Sequence, residues 1–341
     1  MSKHRKLLIL ALLLVATGTT AYLLYRRATG APEAARLLPE GDRLAYINLK
    51  PVRLFGDLSK SRPLDLESGY RDFVDQTGFQ FERDLDEIAV SWRETNAVAG
   101  RDVESAAIFT GHFDSARLKS YLQKISVQSE TYRGLTIYSS PNGDHTVQAC
   151  VLDGSRVAAT TISADAMHGM IDRLHRSSDG PWLLQTYYHK VPATSLAWII
   201  DRIGANSSPP QLGGLTLSFL QNKVALGSLR YNGSLLFRAD VFAVNEADAR
   251  QVMDSANAFL AVYRSVGRVV GTKGGDTDVK AAVDSIHVEQ KGNVAVFTAT
   301  FSERFIKKIF SEAQPEALTA APSPSPSPTS LPKVGDRYHK R

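Results

Sequence analysis

Two clusters in the sequence carry side chains that could do chemistry at a fixed spacing. The first begins at Ser163 and offers Asp165, His168, Asp172 and His175, separated by three, four and three positions. On a helix turning about 100° per residue, these four fall within roughly an 80° arc, a disposition that could surround a divalent metal with carboxylates and imidazoles. Met167, Met170, Ile171 and Leu174 take the opposite face, so the same arc is also what an amphipathic helix turns to water. A metal site would need a further ligand from another segment, and none is identifiable, so the expectation is a solvated face and no cofactor. The second cluster is Trp182, Tyr187, Tyr188 and His189. Aromatic rings with polar tips suit a cleft that grips a ligand or partner, and they suit equally the packing between two parts of a fold.

Other routes to catalysis lack local support. Gly271-Thr-Lys-Gly-Gly-Asp276 resembles a phosphate-cradling loop only superficially, because it lacks the full pattern and follows a helical stretch instead of a strand. The chain has no H-E-x-x-H, G-x-S-x-G or G-x-G-x-x-G. Its one cysteine, Cys150, excludes an intramolecular disulfide and sits in an apolar run, Val147 to Leu152, that reads as core. The charge run Asp84-Leu-Asp-Glu87 reads as a solvated helix turn before the strand at Ile88. The expected activity is binding, not catalysis.

The elements that must position these residues show an internal echo. Four times an apolar run feeds a helix start with Asp, Ser or Asn at the cap: at Phe113-Asp-Ser, Ile162-Ser-Ala, Val244-Asn-Glu and Phe301-Ser-Glu. Turn signals at Asp153-Gly154, Asn232-Gly233 and Lys291-Gly-Asn293 join the strands before or between them. A coarser repeat sets Leu44-Ala-Tyr-Ile47, after Pro39, against Leu196-Ala-Trp-Ile199, after Pro192. These features predict an α+β chain of two related halves, 37–180 and 181–312, each an antiparallel sheet with helices packed on one face. A short Ala/Pro/Gly hinge, Ala28 to Ala35, would precede them.

The ends read differently from the body. Residues 7–25 hold no charge and would rise about 28 Å as a helix, close to the thickness of a bilayer's hydrocarbon core. Residues 1–6 are a basic lead, and Tyr22, Tyr25, Arg26 and Arg27 are placed as interface anchors. This predicts a single-pass anchor in the cytoplasmic (inner) membrane with the bulk extracytoplasmic; the alternative is a cleaved signal and a periplasmic protein. Lys3, Arg5, Lys6, Arg26 and Arg27, with a net two from residues 313–341, exceed the formal charge of +5 and leave residues 28–312 at about −2. No basic nucleic-acid footprint is expected on the fold. Residues 313–341 contain a Pro/Ser tract that cannot form a core and reads as a disordered tail.

With Leu38-Pro39, Leu44-Ala-Tyr-Ile-Asn-Leu49, Thr77-Gly-Phe79, Asp84-Leu-Asp-Glu-Ile88, Val191-Pro192 and Leu196-Ala-Trp-Ile-Ile-Asp201 following an anchor, the chain resembles uncharacterised bacterial membrane-anchored envelope proteins grouped only as a domain of unknown function. That resemblance implies location and fold and brings no catalytic residues. The expectation is a non-catalytic protein that binds a protein or cell-envelope component beside the membrane, with other envelope or membrane proteins as partners. The alternative is a small-molecule or lipid carrier with a cleft between the halves.

Overall fold

A computed structural model describes residues 30–302 apart from 56–67, 98–99, 144, 177–178, 205–206, 208–209, 213–214, 270–280 and 282–283. The segment 7–25, the tail 313–341, the Gly271–Asp276 loop and the capped run after Phe301 therefore lie outside the described residues. Among those described, no helix is long and apolar enough to cross a membrane.

The first half of the chain supplies strands β1 (Arg43–Asn48), β2 (Leu85–Ala97), β3 (Gly100–Gly111), β4 (Gln128–Tyr132), β5 (Leu135–Asn142), β6 (His145–Val151) and β7 (Arg156–Thr160). The second supplies β8 (Ser195–Ile203), the short pair β9 (Gln211–Leu212) and β10 (Leu215–Thr216), then β11 (Lys223–Tyr231), β12 (Leu235–Phe242), β13 (His287–Lys291) and β14 (Val294–Phe301). The helices are α1 (Glu33–Leu37), α2 (Leu49–Phe55), α3 (Ser68–Thr77), α4 (Phe81–Asp84), α5 (Ser115–Ile125), α6 (Ala164–His175), α7 (Trp182–Tyr187) and α8 (Glu246–Val269).

The expectation of two separate sheets is overturned. All but β9 and β10 join one twelve-stranded sheet in the order β13-β14-β12-β11-β8-β1-β2-β3-β7-β6-β5-β4, every pairing antiparallel. The physical reason lies in β1 and β8. Leu44-Ala-Tyr-Ile47 and Leu196-Ala-Trp-Ile199 are apolar on both faces, as central strands are, and either one left at a sheet edge would expose unpaired backbone beside apolar side chains. They pair with each other instead, Ala45 opposite Ile199 and Ile47 opposite Ala197. The equivalent aromatics, Tyr46 and Trp198, lie directly opposite and stack at 5.7 Å. The sequence echo thus marks a pseudo-twofold axis normal to the sheet. On each side of it, three meandering strands (β1-β2-β3; β8-β11-β12) lead into a helix (α5; α8) and a hairpin returning beside the third strand (β6-β7; β13-β14). The outer edges are β4 and β13, whose sequences QSETY and HVEQK present charge and discourage further pairing.

Helices on a single face are overturned as well. Direct partners across antiparallel strands share a face. Leu44, Tyr46, Trp198, Ile200 and Leu226 therefore point one way, into the main core with α1, α6 and α7, to which Ala35, Leu38, Met167, Met170, Ile171, Leu183 and Leu184 belong. The opposite face carries two separate clusters: Leu118, Leu122, Tyr138, Val151 and Val157 under α5 with Phe73 of α3, and Ile203, Leu220, Val241, Val252 and Ala295 under α8. The middle of this second face, on either side of β1 and β8, belongs to neither.

Three of the four expected helix starts are described, and each is capped by the expected residue. Asp114 Oδ1 accepts from the Ala116 and Arg117 amides at 3.1 Å, Ser163 Oγ from Ala166 at 3.2 Å, and Asn245 Oδ1 from Asp248 at 2.9 Å. The expected hinge is corrected in part: Glu33–Leu37 is helical, and Ala34, Ala35, Leu37 and Leu38 are buried.

Candidate functional site

The sheet centre is built from strands of both arms and has two unlike faces. On the face between the α5 and α8 clusters, one row of side chains runs Val90, Ala45, Ile199, Gly227 and the next Ile88, Ile47, Ala197, Leu229, Phe237. Neither row contains a polar side chain. They floor an open groove of about 410 Å³ that also reaches Trp92, and Ile199 in its middle is 38% exposed. Five strands at ~4.8 Å spacing make it about 19 Å across. A Cβ placed on Gly227 would come within 3.0 Å of Ile199 Cγ2 and 3.8 Å of the Phe237 ring, so the glycine sets the depth of the floor. Beyond Trp92 the apolar surface ends at an ion-pair network, where Arg43 Nε meets Asp201 at 2.9 Å and Arg43 Nη2 meets Glu94 at 3.2 Å. Burial pushes the Asp201 carboxyl above its ordinary range even with Arg43 beside it.

On the other face, the same strands wall a polar cavity of about 530 Å³ closed by α1 and by the turn Tyr188–Lys190 with the segment after it. Tyr46, Trp198 and Tyr188 form an aromatic wall; Trp198 stacks on Tyr46 at 21° between planes and meets Tyr188 edge-on at 5.7 Å. Glu87 of β2 faces into it, and the Tyr46 hydroxyl donates to its carboxylate. Burial raises the Glu87 pKa, opposed by Lys50 and by that hydrogen bond, and the same burial holds the Tyr46 phenol far above its usual range. Arg156 is held by Glu33 and by Asp153, to which Nη2 lies at 2.6 Å.

The two sequence-derived clusters fare differently. Of Trp182, Tyr187, Tyr188 and His189, only Tyr188 lines this cavity. Tyr187 packs on Phe242 at 5.0 Å and on Trp182 at 6.1 Å, Trp182 is 49% exposed, and His189 points to solvent. The α6 residues are spent locally. His168 Nε2 sits 2.7 Å from Glu130 and its ring stacks on Tyr132 at 4.0 Å, while Asp172 accepts from the Tyr132 hydroxyl at 3.1 Å and pairs with Arg133 at 2.5 Å. Asp165 and His175 are exposed, and among the described residues no group of three or more His, Cys, Asp or Glu is placed to hold a metal. The arc on α6 thus clasps the β4–β5 hairpin. Cys150 is fully buried, and burial pushes its thiol up to about 11, well out of the reactive range.

The residues that sequence reasoning missed came from the supposed solvated turn. Asp86 is 6% exposed and bonds Arg53 and, at 3.3 Å, Lys50. Glu87 opens onto the cavity. Extending the period-two pattern of β2 backwards from Ser91 through Ala89 would have put Glu87 on the covered face.

No protein-family model matches the chain, and neither does any curated protein. Among solved structures it is similar to crystal form III of TP0453, at 14% identity and a TM-score of 0.47, over 83% of this chain and 99% of that one. Crystal form IV of TP0453 gives 14% identity and 0.45, over 82% and 96%. An overlay at that level assigns neither a family nor an activity.

Proposed function

We propose that this chain is a non-enzymatic binding protein held at the extracytoplasmic face of a membrane by residues 7–25, and that the open groove takes the hydrocarbon chain of a membrane lipid. The observation that carries the reading is the groove itself. A contiguous apolar surface left open at the centre of a sheet costs solvation unless something covers it, and about 410 Å³ lies within the usual range for small-ligand sites. Its position supports a lipid. Gly30, the first described residue, borders the polar cavity together with Asn48 and Glu87, at the end of β1 where Ile47 and Ile88 begin the groove on the opposite face. Only five peptide steps separate Tyr25 from Gly30, a reach of about 17 Å at full extension, so an anchor ending at Tyr25 keeps that end of the sheet beside the bilayer.

Trp92 lines the groove and supplies the test. The full chain, reconstituted in vesicles of brominated phosphatidylcholine, should show quenching of a fluorescence component that Trp92→Phe removes, and Ile199→Asp should abolish that quenching. Both proteins carry the same anchor, so their difference isolates the groove. Unquenched Trp92, or equal quenching in the Ile199→Asp variant, would sink the proposal. So would a cross-linked dimer that buries Ile199, since a second copy would then be the occupant.

A further inference from the structure

The pseudo-twofold axis makes the two ends of the sheet comparable residue by residue, and they are not alike. Setting Leu44 on Leu196 sets Arg43 on Ser195 and Leu49 on Asp201. Ala89 lies opposite Tyr46 and Ser228 opposite Trp198, so Trp92 and Tyr231, each three residues further on, are equivalent as well. At the Trp92 end the groove stops at charge: Arg43 pairs with Asp201 and Glu94, and Arg93 meets Glu104 at 2.6 Å. At the other end the matching positions, Ser195 and Leu49, carry no charge. There the floor's last pair, Leu229 and Phe237, is followed on the same face by Tyr231 and Leu235. These two lie opposite each other on the β11–β12 hairpin and are half-buried, so the apolar surface runs on to the turn at Asn232–Ser234.

We propose that the tip of this hairpin rests in the headgroup layer of the bilayer, so that the groove opens to lipid at that end. The inference rests on the tethered, lipid-binding reading above and adds the surface that meets the membrane. What selects a bilayer as the occupant is where the tether ends. Gly30 and Ser195 border the same cavity, Ser195 lies opposite Arg230, and Tyr231 is the next residue. The hairpin therefore lies at the end of the sheet to which residues 7–25 are joined. The chemistry of the tip sets its depth. Asn232 and Gly233 are exposed, and a polar turn in hydrocarbon would leave backbone groups without partners. The headgroup layer is about 5–8 Å thick on each side of a bilayer, and a strand rises ~3.4 Å per residue, so the turn and the Tyr231–Leu235 pair behind it both fit inside. An aromatic ring with a polar tip belongs at that level. Arg230 alternates to the other face of the hairpin and brings a cation to the layer where lipid phosphates lie.

The one cysteine, Cys150, is fully buried, so a cysteine introduced at the surface takes a single label. Asn232→Cys reports the hairpin turn, and Val103→Cys, at a site 52% exposed on β3, reports the opposite end of the sheet. Each full-length protein carries an environment-sensitive fluorophore and is reconstituted in phosphatidylcholine vesicles containing lipid with a nitroxide on its headgroup. The label at 232 should shift to the blue and lose emission to the nitroxide, and the label at 103 should do neither. Tyr231→Asp together with Leu235→Asp should return the 232 label to its aqueous emission, with one label per chain as evidence that Cys150 stays buried and the fold intact. Should that pair fail to fold, Leu235→Asn alone should lose part of the quenching. The proposal is overturned if both labels stay in water, if both report the membrane, or if the foldable variant leaves the 232 label unmoved. Quenching of Trp92 by brominated lipid, read separately, keeps groove and hairpin apart. A quenched Trp92 with the 232 label in water retains the groove and removes the hairpin; the reverse pattern retains the hairpin and removes the groove. A chain that fails to sediment with the vesicles loses the tether and this inference together.

Discussion

Ile199 and Ile200 are neighbours on one strand and chemically identical, yet they live in different solvents. Ile200 is fully buried under α1, α6 and α7, whereas Ile199 is 38% exposed on the floor of the groove. The difference comes from the period-two alternation of a strand, combined with helices that cover one face of the seam and, among the described residues, pack on the other at its flanks. A strand buried on one side needs a single apolar face. β1 and β8 have two; the second helps to set them at the centre of the sheet, and on the open face it is left partly in water at Ile199.

The sharpest way to break this comparison is to truncate both isoleucines. Ile200→Ala should destabilise by about 2–5 kcal/mol, through lost burial and the cavity left behind. Ile199→Ala should cost about 1 kcal/mol or less, because much of its surface is already in water. Denaturant unfolding of the two variants measures both. Equal costs would mean that the open face is covered in solution and the groove is not free.

Filling the groove gives the next effect. Gly227→Val builds a side chain into the space between Ile199 and Phe237; its Cβ would meet the Phe237 ring at 3.8 Å and crowd Ile199 Cγ2 at 3.0 Å, so the tip of Ile199 must turn aside into the groove. It should cut hydrocarbon binding by tenfold or more while the chain remains folded, since β-branched residues suit a strand and the groove is open above. Quenching by brominated lipid reads the loss. Undiminished quenching would place the hydrocarbon elsewhere.

Much of this arrangement was legible in the sequence, and the misses have physical causes. The Leu44–Ile47 and Leu196–Ile199 echo reads as the opening of two separate sheets, whereas the two strands pair with each other; Asp114, Ser163 and Asn245 do mark helix starts, because capping is a local property. That the two arms share one sheet was not local: it depends on β1 choosing β8 across roughly 150 residues, and either could have paired inside its own half. The β4–β5 hairpin was missed for another reason. Its turn is Arg133-Gly134, with φ of 48° and 79°, so an arginine occupies the left-handed position that Asn or Asp usually signals. Glu87 was missed because a run of charges reads as surface, and its burial depends on α1, a helix of only five residues too short to stand out in a sequence pattern.

A smaller effect tests how the covered face is closed. The Trp182 amide at the start of α7 donates to both Glu40 oxygens, at 2.9 and 3.1 Å. Glu40→Ala should cost about 1 kcal/mol, the usual value of a lost cap. Among the described residues the groove has no equivalent lid, so lipid quenching of Trp92 should be unchanged. Loss of quenching together with stability would show the two faces to be coupled through β8.

The smallest effect, and the most specific, is in the pH dependence of Glu87. Its folded pKa is raised above the ordinary 4.5 of a glutamate, chiefly by burial, so the folded state holds this proton more tightly than the unfolded chain does. The stability it contributes is therefore fully present below pH 4.5 and lost as pH rises through the folded value, after which it is constant. Asp84 and Asp153, whose folded values are lowered, act in the opposite sense, with stability lost as pH falls. The parent profile mixes these contributions, and only a difference isolates one of them. Glu87→Gln keeps an oxygen to accept from Tyr46 and removes the titration, so its stability relative to the parent should climb with pH across that window and level off above it. Asp201→Asn on the open face should show a climb of the same sign, beginning from 3.8, because burial there also outweighs its partner Arg43. A flat difference for Glu87 with a climb for Asp201 would mean that water reaches the polar cavity freely. The covered face would then be the wetter of the two, and the contrast between Ile199 and Ile200 would hold for the isoleucines alone.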